Sequence, residues 1–178
     1  MSKIKKIVLT SVLLAILIVL SRFLSIKTPL LRISFAFIPT CISAIWLGPK
    51  WTVLLNVLGD IIGATLFPIG PFFIGYTIST AIEGLIYGIL LYQKEPVFYN
   101  NKQFIIKVVL SVILVTLICN LGLNTFWIHI TAKKAFIALL GGRIIKELIM
   151  IPIQISMIIF IYNVLKVPFN NYIRSSND

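Results

Sequence analysis

The chain has 178 residues, 59% of them hydrophobic and 12% charged, with a formal net charge of +11. A water-soluble domain carries about 25% charged residues, so this chain has too little polar material to coat one, and lipid must face most of its surface. The charge excess does not mark a nucleic-acid binder, because no basic stretch is interleaved with aromatics. It fits lysines and arginines that contact anionic lipid and set orientation.

In a bilayer only helices and closed barrels satisfy every backbone group. The apolar runs are long and unbroken, not alternating, which selects helices. Cys41 and Cys119 lie inside apolar runs and read as small buried hydrophobes. His129 is the single histidine, so no multi-histidine metal site is expected. Neither a metal nor a cofactor is called for.

The first predicted span covers residues 7–24, after a basic start with Lys3, Lys5 and Lys6. Its short apolar core resembles a signal peptide, but no A-x-A-like site follows, so a retained helix is expected. The second span, 35–47, ends at Gly48-Pro49-Lys50, a tight turn. The third covers 51–66. A loop punctuated by Pro and Gly follows, from Phe67 through Pro68, Gly70, Pro71 and Phe73 to Gly75, and then the fourth span, 76–92. Lys94 to Lys107 is the most polar interior stretch. The fifth span covers 104–127, an amphipathic piece runs from Ile128 to Gly142, and the sixth span covers 143–165. The tail from Pro168 is polar and expected to fray. Several spans fall short of the roughly 20 residues that cross a bilayer unaided.

The pattern predicts an all-α membrane protein of about six transmembrane helices, one domain over residues 1–178, with both termini cytoplasmic. That topology puts nine of the sixteen Lys and Arg residues inside. Arg22, Lys27, Arg32, Lys133, Lys134, Arg143 and Lys146 lie outside, with little acid there except Glu147, which can pair with Arg143 or Lys146. These cations either snorkel to headgroups, as expected of Arg22 and Lys27, or form a basic mouth that attracts an anionic solute.

Ionisable groups within spans are costly and usually mark a site or a partner. Asp60 lies near the middle of the third span, one turn after Asn56 on the same face. Glu83 lies in the fourth, with Tyr76, Ser79, Thr80 and Tyr87 at helical spacing. Asn120, Asn124 and Trp127 form a stripe in the fifth, and Arg143, Glu147, Met150 and Gln154 one in the sixth. Each alone can be an interhelical hydrogen bond. Together they predict a polar cup open to the outside, floored by Asp60 and rimmed by basic groups. Gly59/Gly63, Gly84/Gly88 and Ser11/Ala15 are small i, i+4 pairs, read as bundle packing or as a docking face for another membrane subunit.

No phosphate-binding loop of the G-x-x-x-x-G-K-[ST] type is present, so ATP would have to be used by a partner. No H-E-x-x-H or G-x-S-x-G motif points to catalysis, and no catalytic residue is assigned. No repeated half with interrupted helices points to an ordinary secondary carrier.

The order of Arg22-Phe23-Leu24-Ser25-Ile26-Lys27-Thr28-Pro29, Arg32-Ile33-Ser34-Phe35-Ala36-Phe37-Ile38-Pro39, Gly48-Pro49, Gly59-Asp60-Ile61-Ile62-Gly63-Ala64, the Phe67–Phe73 loop, Gly75-Tyr76-Thr77 and Glu83-Gly84-Leu85-Ile86-Tyr87-Gly88 resembles the folate-specific S components of energy-coupling factor (ECF) transporters. The resemblance spans Ile7 to about Leu165. It implies a six-helix S-component fold in the bacterial plasma membrane. It also implies that the chain binds folate or a reduced folate from outside and hands it to a transmembrane coupling subunit with two ATPases. Family members dock through Ala-x-x-x-Ala on the first helix; the matching place here is Ser11 and Ala15.

Folate then fits the cup as follows. Asp60 accepts from the pterin amino and ring N–H groups. Phe35, Phe67, Phe73, Tyr76 and Trp127 stack on the rings. Arg32, Lys133, Lys134 or Arg143 pair with the carboxylates. Glu83, Asn120 and Asn124 line the cup, and the loops carrying Pro68 and Gly70, and Ile26 to Ile33, act as lids. The rivals are an S component for another vitamin or pyrimidine precursor, a membrane-embedded transferase using Asp60 and Glu83, and a purely structural subunit.

Overall fold

A computed structural model describes residues 2–27, 32–68, 72–93, 101–132 and 136–174. Helix α1 spans Lys3–Ile18 and continues as a π-helical segment over Val19–Phe23. Two-residue strands β1 (Ile26–Lys27) and β2 (Arg32–Ile33) pair antiparallel, Ile26 opposite Ile33. Then follow α2 (Phe37–Leu47), α3 (Pro49–Leu66), α4 (Ile74–Leu91), α5 (Asn101–Leu114), a second π segment (Val115–Leu123), α6 (Asn124–Ala132) and α7 (Phe136–Arg174). By length and composition Lys3–Phe23, Ile74–Leu91, Lys102–Thr131 and Leu140–Leu165 can each cross a membrane, while α2, with 11 residues, is a shorter apolar helix.

Local chemistry explains the boundaries. Ser2 caps α1, its Oγ accepting from the Lys5 N–H at 3.4 Å. Gly48 separates α2 from α3 with φ at 81°, a conformation side chains resist. Pro49 follows as the first residue of α3, where its missing N–H costs nothing. In both π segments the bonds run five residues back: the Leu24 N–H donates to Val19 O at 3.1 Å, and the Asn124 N–H donates to Cys119 O.

Close helix approach rests on the glycines. A Cβ on Gly59 would run into Leu17 of α1, one on Gly84 into the Thr52 backbone, and one on Gly88 into Pro49. Both glycine pairs therefore pack inside the bundle, the first of the two readings they allowed. Ser11 and Ala15 instead lie exposed on α1, on the side away from buried Leu13 and Leu17.

The apolar core joins α2, α4, α5, the second π segment and α7. Ile45, Tyr87, Leu91, Phe104, Val108, Val112, Ile158 and Tyr162 meet there. The Phe104 and Tyr162 rings stack at 3.7 Å, and Cys41 and Cys119 are buried within it. Burying one such side chain is worth about 1.5–3 kcal/mol against water, although in lipid close packing carries much of this.

Three boundaries differ from the sequence expectation. The fifth span starts earlier and runs through to Ala132, because a π segment joins α5 to α6. The stretch expected as a separate amphipathic piece is the end of α6 and the start of α7. Helix α7 extends to Arg174, a total of 39 residues, so most of the expected polar tail is helical.

Candidate functional site

The polar residues of the spans sort into three groups. The first lies between α2, α3 and α4. Thr40 Oγ1 donates to Asn56 Oδ1 at 2.8 Å, Asn56 Nδ2 donates to Thr80 O at 3.0 Å, and the Ser43 and Thr52 hydroxyls are 3.1 Å apart. These bonds tie helices together and engage both ends of the Asn56 amide.

The second group joins the end of α1 to α3 and α4. Thr77 Oγ1 donates to Asp60 Oδ2 at 2.7 Å. Arg22 Nη2 lies 3.7 Å from Asp60 Oδ1 and 3.5 Å from Asp60 O. The guanidinium fits over Gly63, where a Cβ would strike it. Arg22 therefore does not snorkel to headgroups: it turns inward onto an acid, since its charge is better met there than in hydrocarbon.

The third group lies between α4, the second π segment, α6 and α7. Glu147 is 2% exposed; it takes the Lys146 ammonium at 2.7 Å on Oε1 and the Asn120 amide at 3.3 Å on Oε2. Glu83 of α4 lies within electrostatic reach of Glu147 and Lys146, and makes no hydrogen bond among the described residues. Arg143, one turn before Glu147, is 9% exposed, and its Nε and Nη1 have no hydrogen-bond partner among the described residues. The Tyr87 hydroxyl and Gln154 Oε1 are likewise buried without partners. Native interiors rarely leave such groups unmet; Thr116 Oγ1, Gln93 Nε2 and the Tyr162 hydroxyl are further examples among the described residues.

Aromatic residues gather at the start of α4 and along α6. The Trp127 indole N–H donates to Ser79 Oγ at 3.0 Å. Its ring lies against Gly75, where a Cβ would strike it. Phe73 sits 5.5 Å from Trp127 and 6.0 Å from Tyr76, and the Tyr76 hydroxyl is 3.5 Å from Thr131 Oγ1. From Arg143 to Gln154 the α7 face descends about 16 Å at 1.5 Å per residue. A charged, hydrogen-bonding face thus runs along α7 from the aromatic cluster, with unmet donors and acceptors on it.

Over residues 5–162 the sequence matches the family described as the ECF transporter, substrate-specific component. The chain belongs to this family. It is a transporter component, not an enzyme. It is 36% identical over 154 residues to the folate transporter FolT of Clostridium novyi (strain NT), covering 86% of each chain. It is 37% identical over 164 residues to the folate transporter FolT of Leuconostoc mesenteroides, covering 89% of this chain and 85% of that one. The fold is also that of a solved structure, FolT bound with folic acid: TM-score 0.80, 33% identity, 89% of this chain and 93% of that one.

In this substrate-specific component Phe73, Tyr76 and Trp127 meet, Arg143 lies within electrostatic reach of Tyr76 and Glu147, and Asn120 and Glu83 approach Glu147. Asp60 has Thr77 on Oδ2 and Arg22 beside Oδ1, which leaves acceptor capacity on the carboxylate. Phe67 packs edge-on against Phe23 at 5.1 Å, and Pro68 is exposed. Phe35 lies 6.3 Å from Phe37 at the start of α2. Gly70, Lys133, Lys134 and the side chains of Lys27 and Arg32 lie outside the described residues. Sequence reasoning gave Ser79, Tyr87 and Gln154 as stripe members without assigning them to the site, and it missed Thr77 as the partner of Asp60. Helical spacing shows which residues share a face of one helix; which helices face each other comes from packing between distant segments.

Proposed function

We propose that this substrate-specific component is the high-affinity folate-binding subunit of an ATP-driven ECF uptake transporter. It takes folate or a reduced folate from the outside into the cup between α4, α6 and α7. It then delivers the vitamin to a transmembrane coupling subunit carrying two ATPases, in the cell membrane, with both termini cytoplasmic. The observation that carries the reading is Arg143, a buried guanidinium with two unmet N–H groups facing a cup in a chain that resembles folate transporters.

The chemistry matches from the mouth inward. Folate ends in a glutamate with two carboxylates, and Arg143 offers them a planar donor fork. Its benzoyl and pterin rings are flat, and Phe73, Tyr76 and Trp127 provide faces to stack on. The pterin presents an amino group and a ring N–H side by side, a pair that one carboxylate accepts. Glu83 takes this role in place of Asp60, because Glu83 has no hydrogen bond of its own among the described residues. Asn120 and Asn124 offer both donors and acceptors to the remaining pterin edge.

Docking of the coupling subunit falls to the exposed face of α1 around Ser11 and Ala15, where small side chains allow close helix approach. Energy comes from the partner ATPases.

The test is calorimetry on the purified protein with folate, 5-formyltetrahydrofolate, riboflavin and thiamine. Tight binding of the folates alone, lost in Arg143→Ala and in Glu83→Gln, supports the reading. Tight binding of riboflavin or thiamine, or full folate affinity in both variants, overturns it.

A further inference from the structure

The helix from α5 through α6 carries a nine-residue π segment, longer than the single-turn bulges usual in proteins. Phe104, Val108, Val112, Val115 and Cys119 are buried and set the inward face of its first half. At about 100° per residue, a plain α-helix would carry the middle of that face on through Phe126 and Ile130 and leave Trp127 at its edge, near the line of buried Thr116. The structure shows otherwise. Phe126 and Ile130 are 46% and 47% exposed, and Trp127 reaches Ser79. The five-residue bonds persist to the end of the segment, where Thr125 Oγ1 also donates to Asn120 O at 3.3 Å.

We propose that this π segment sets ligand recognition by changing helical register. The extra residue it accommodates turns the outer half of the helix by about one position, so that Asn120, Asn124 and Trp127 enter the cup and Phe126 and Ile130 go to lipid. An α-helical register would line the same wall with Phe and Ile, which offer a pterin edge no hydrogen bonds. The segment is thus a positioning element: it acts through the side chains it aims.

This inference rests on the reading of the cup as a folate site, and two experiments separate the two. The first deletes Gly122, which is exposed and whose Cβ would meet nothing beyond Leu117 O. Deletion removes the extra residue, and folate affinity is expected to fall at least a hundredfold. Gly122→Ala keeps the length and should keep affinity. Restoring the length by inserting Ala after Leu117 in the deletion variant should recover binding, because the device depends on residue number. The second experiment uses single cysteines at 120, 124, 126, 127 and 130 in a Cys41→Ala/Cys119→Ala background. A water-soluble maleimide, used without folate, should label 120, 124 and 127 and leave 126 and 130 unlabelled. Full affinity after the deletion, or labelling of 126 and 130 in place of 120, 124 and 127, overturns the inference while leaving the folate reading intact. Should the deletion variant not fold, the labelling pattern decides alone. A full-length protein that binds no folate overturns the folate reading itself.

Discussion

The Trp127 indole nitrogen and the Ser79 hydroxyl, 48 positions apart in sequence, meet at 3.0 Å across Gly75. This bond fixes an aromatic plane at the outer end of the polar wall, and a plane held in place before the ligand arrives costs less to use than one that must be ordered. Ser79→Ala removes the acceptor and leaves the ring. Folate affinity should drop about three- to tenfold, about one hydrogen bond's worth. Trp127→Leu should cost more, since the stacking face goes with it. Titration calorimetry of both variants checks the order.

Arg143 should trade stability against binding. Among the described residues its Nε and Nη1 have no hydrogen-bond partner, so the empty protein carries buried donors left unmet even with Glu147 within electrostatic reach. Arg143→Met is expected to leave the apo melting temperature unchanged or raised. Folate affinity should fall by about 2–5 kcal/mol, as for loss of one partner of a buried charge pair. Thermal melts with and without folate measure both effects on one sample.

Asp60 and Arg22 should behave as structural partners. Asp60→Asn keeps a group that can accept from Thr77 and removes the charge facing Arg22. It should lower stability by about 1–3 kcal/mol, with folate affinity changed by less than that of Glu83→Gln. The double variant Arg22→Met/Asp60→Asn should be less unstable than the sum of its parts, a coupling that a double-mutant cycle reads directly.

The glycines divide by position. Gly88→Ala drives a methyl into Pro49 and should destabilise by about 1–3 kcal/mol, the usual range for overpacking. Gly141 and Gly142 lie in α7 with nothing within 4 Å of a Cβ. Ala at either should stabilise by about 0.5–1 kcal/mol through helix propensity. Melting temperatures in one lipid or detergent condition test the sign at all three.

The docking face proposed on α1 can be tested apart from binding. Ser11→Trp or Ala15→Trp puts bulk on an exposed face of α1, far from Glu83 and Arg143. Purified protein should bind folate normally while uptake by cells falls to background. Loss of folate binding in these variants would refute the assignment of that face.

Much of this was legible in the residues. Composition alone demands lipid, Gly48-Pro49 marks its turn, and the stripes on the fourth, fifth and sixth spans name most of the wall. Asp60 shows where such reading stops. A mid-span carboxylate announces that something must satisfy it, but the sequence does not say whether that is a ligand or Arg22, 38 positions earlier. Lys146 and Arg143 pose the same problem: both can pair with Glu147, and only the packed helix shows Lys146 taking it. The π segments did leave a trace, since the apolar face ending at Cys119 and the polar stripe starting at Asn120 do not continue one another at 3.6-residue spacing.

The glycine contacts and the Asn56 bonds join α1, α2 and α3 to the back of α4, while the polar wall comes from the front of α4 with α6 and α7. Helix α4 is therefore shared between a packed face and a polar one, while α2 also reaches α7 through the core. The packed face can stay constant while the polar one is rewritten. A graft of residues 101–174 from a relative of different specificity, seated on this chain's first four helices, should carry its ligand preference with it and still be accepted by the same transport machinery.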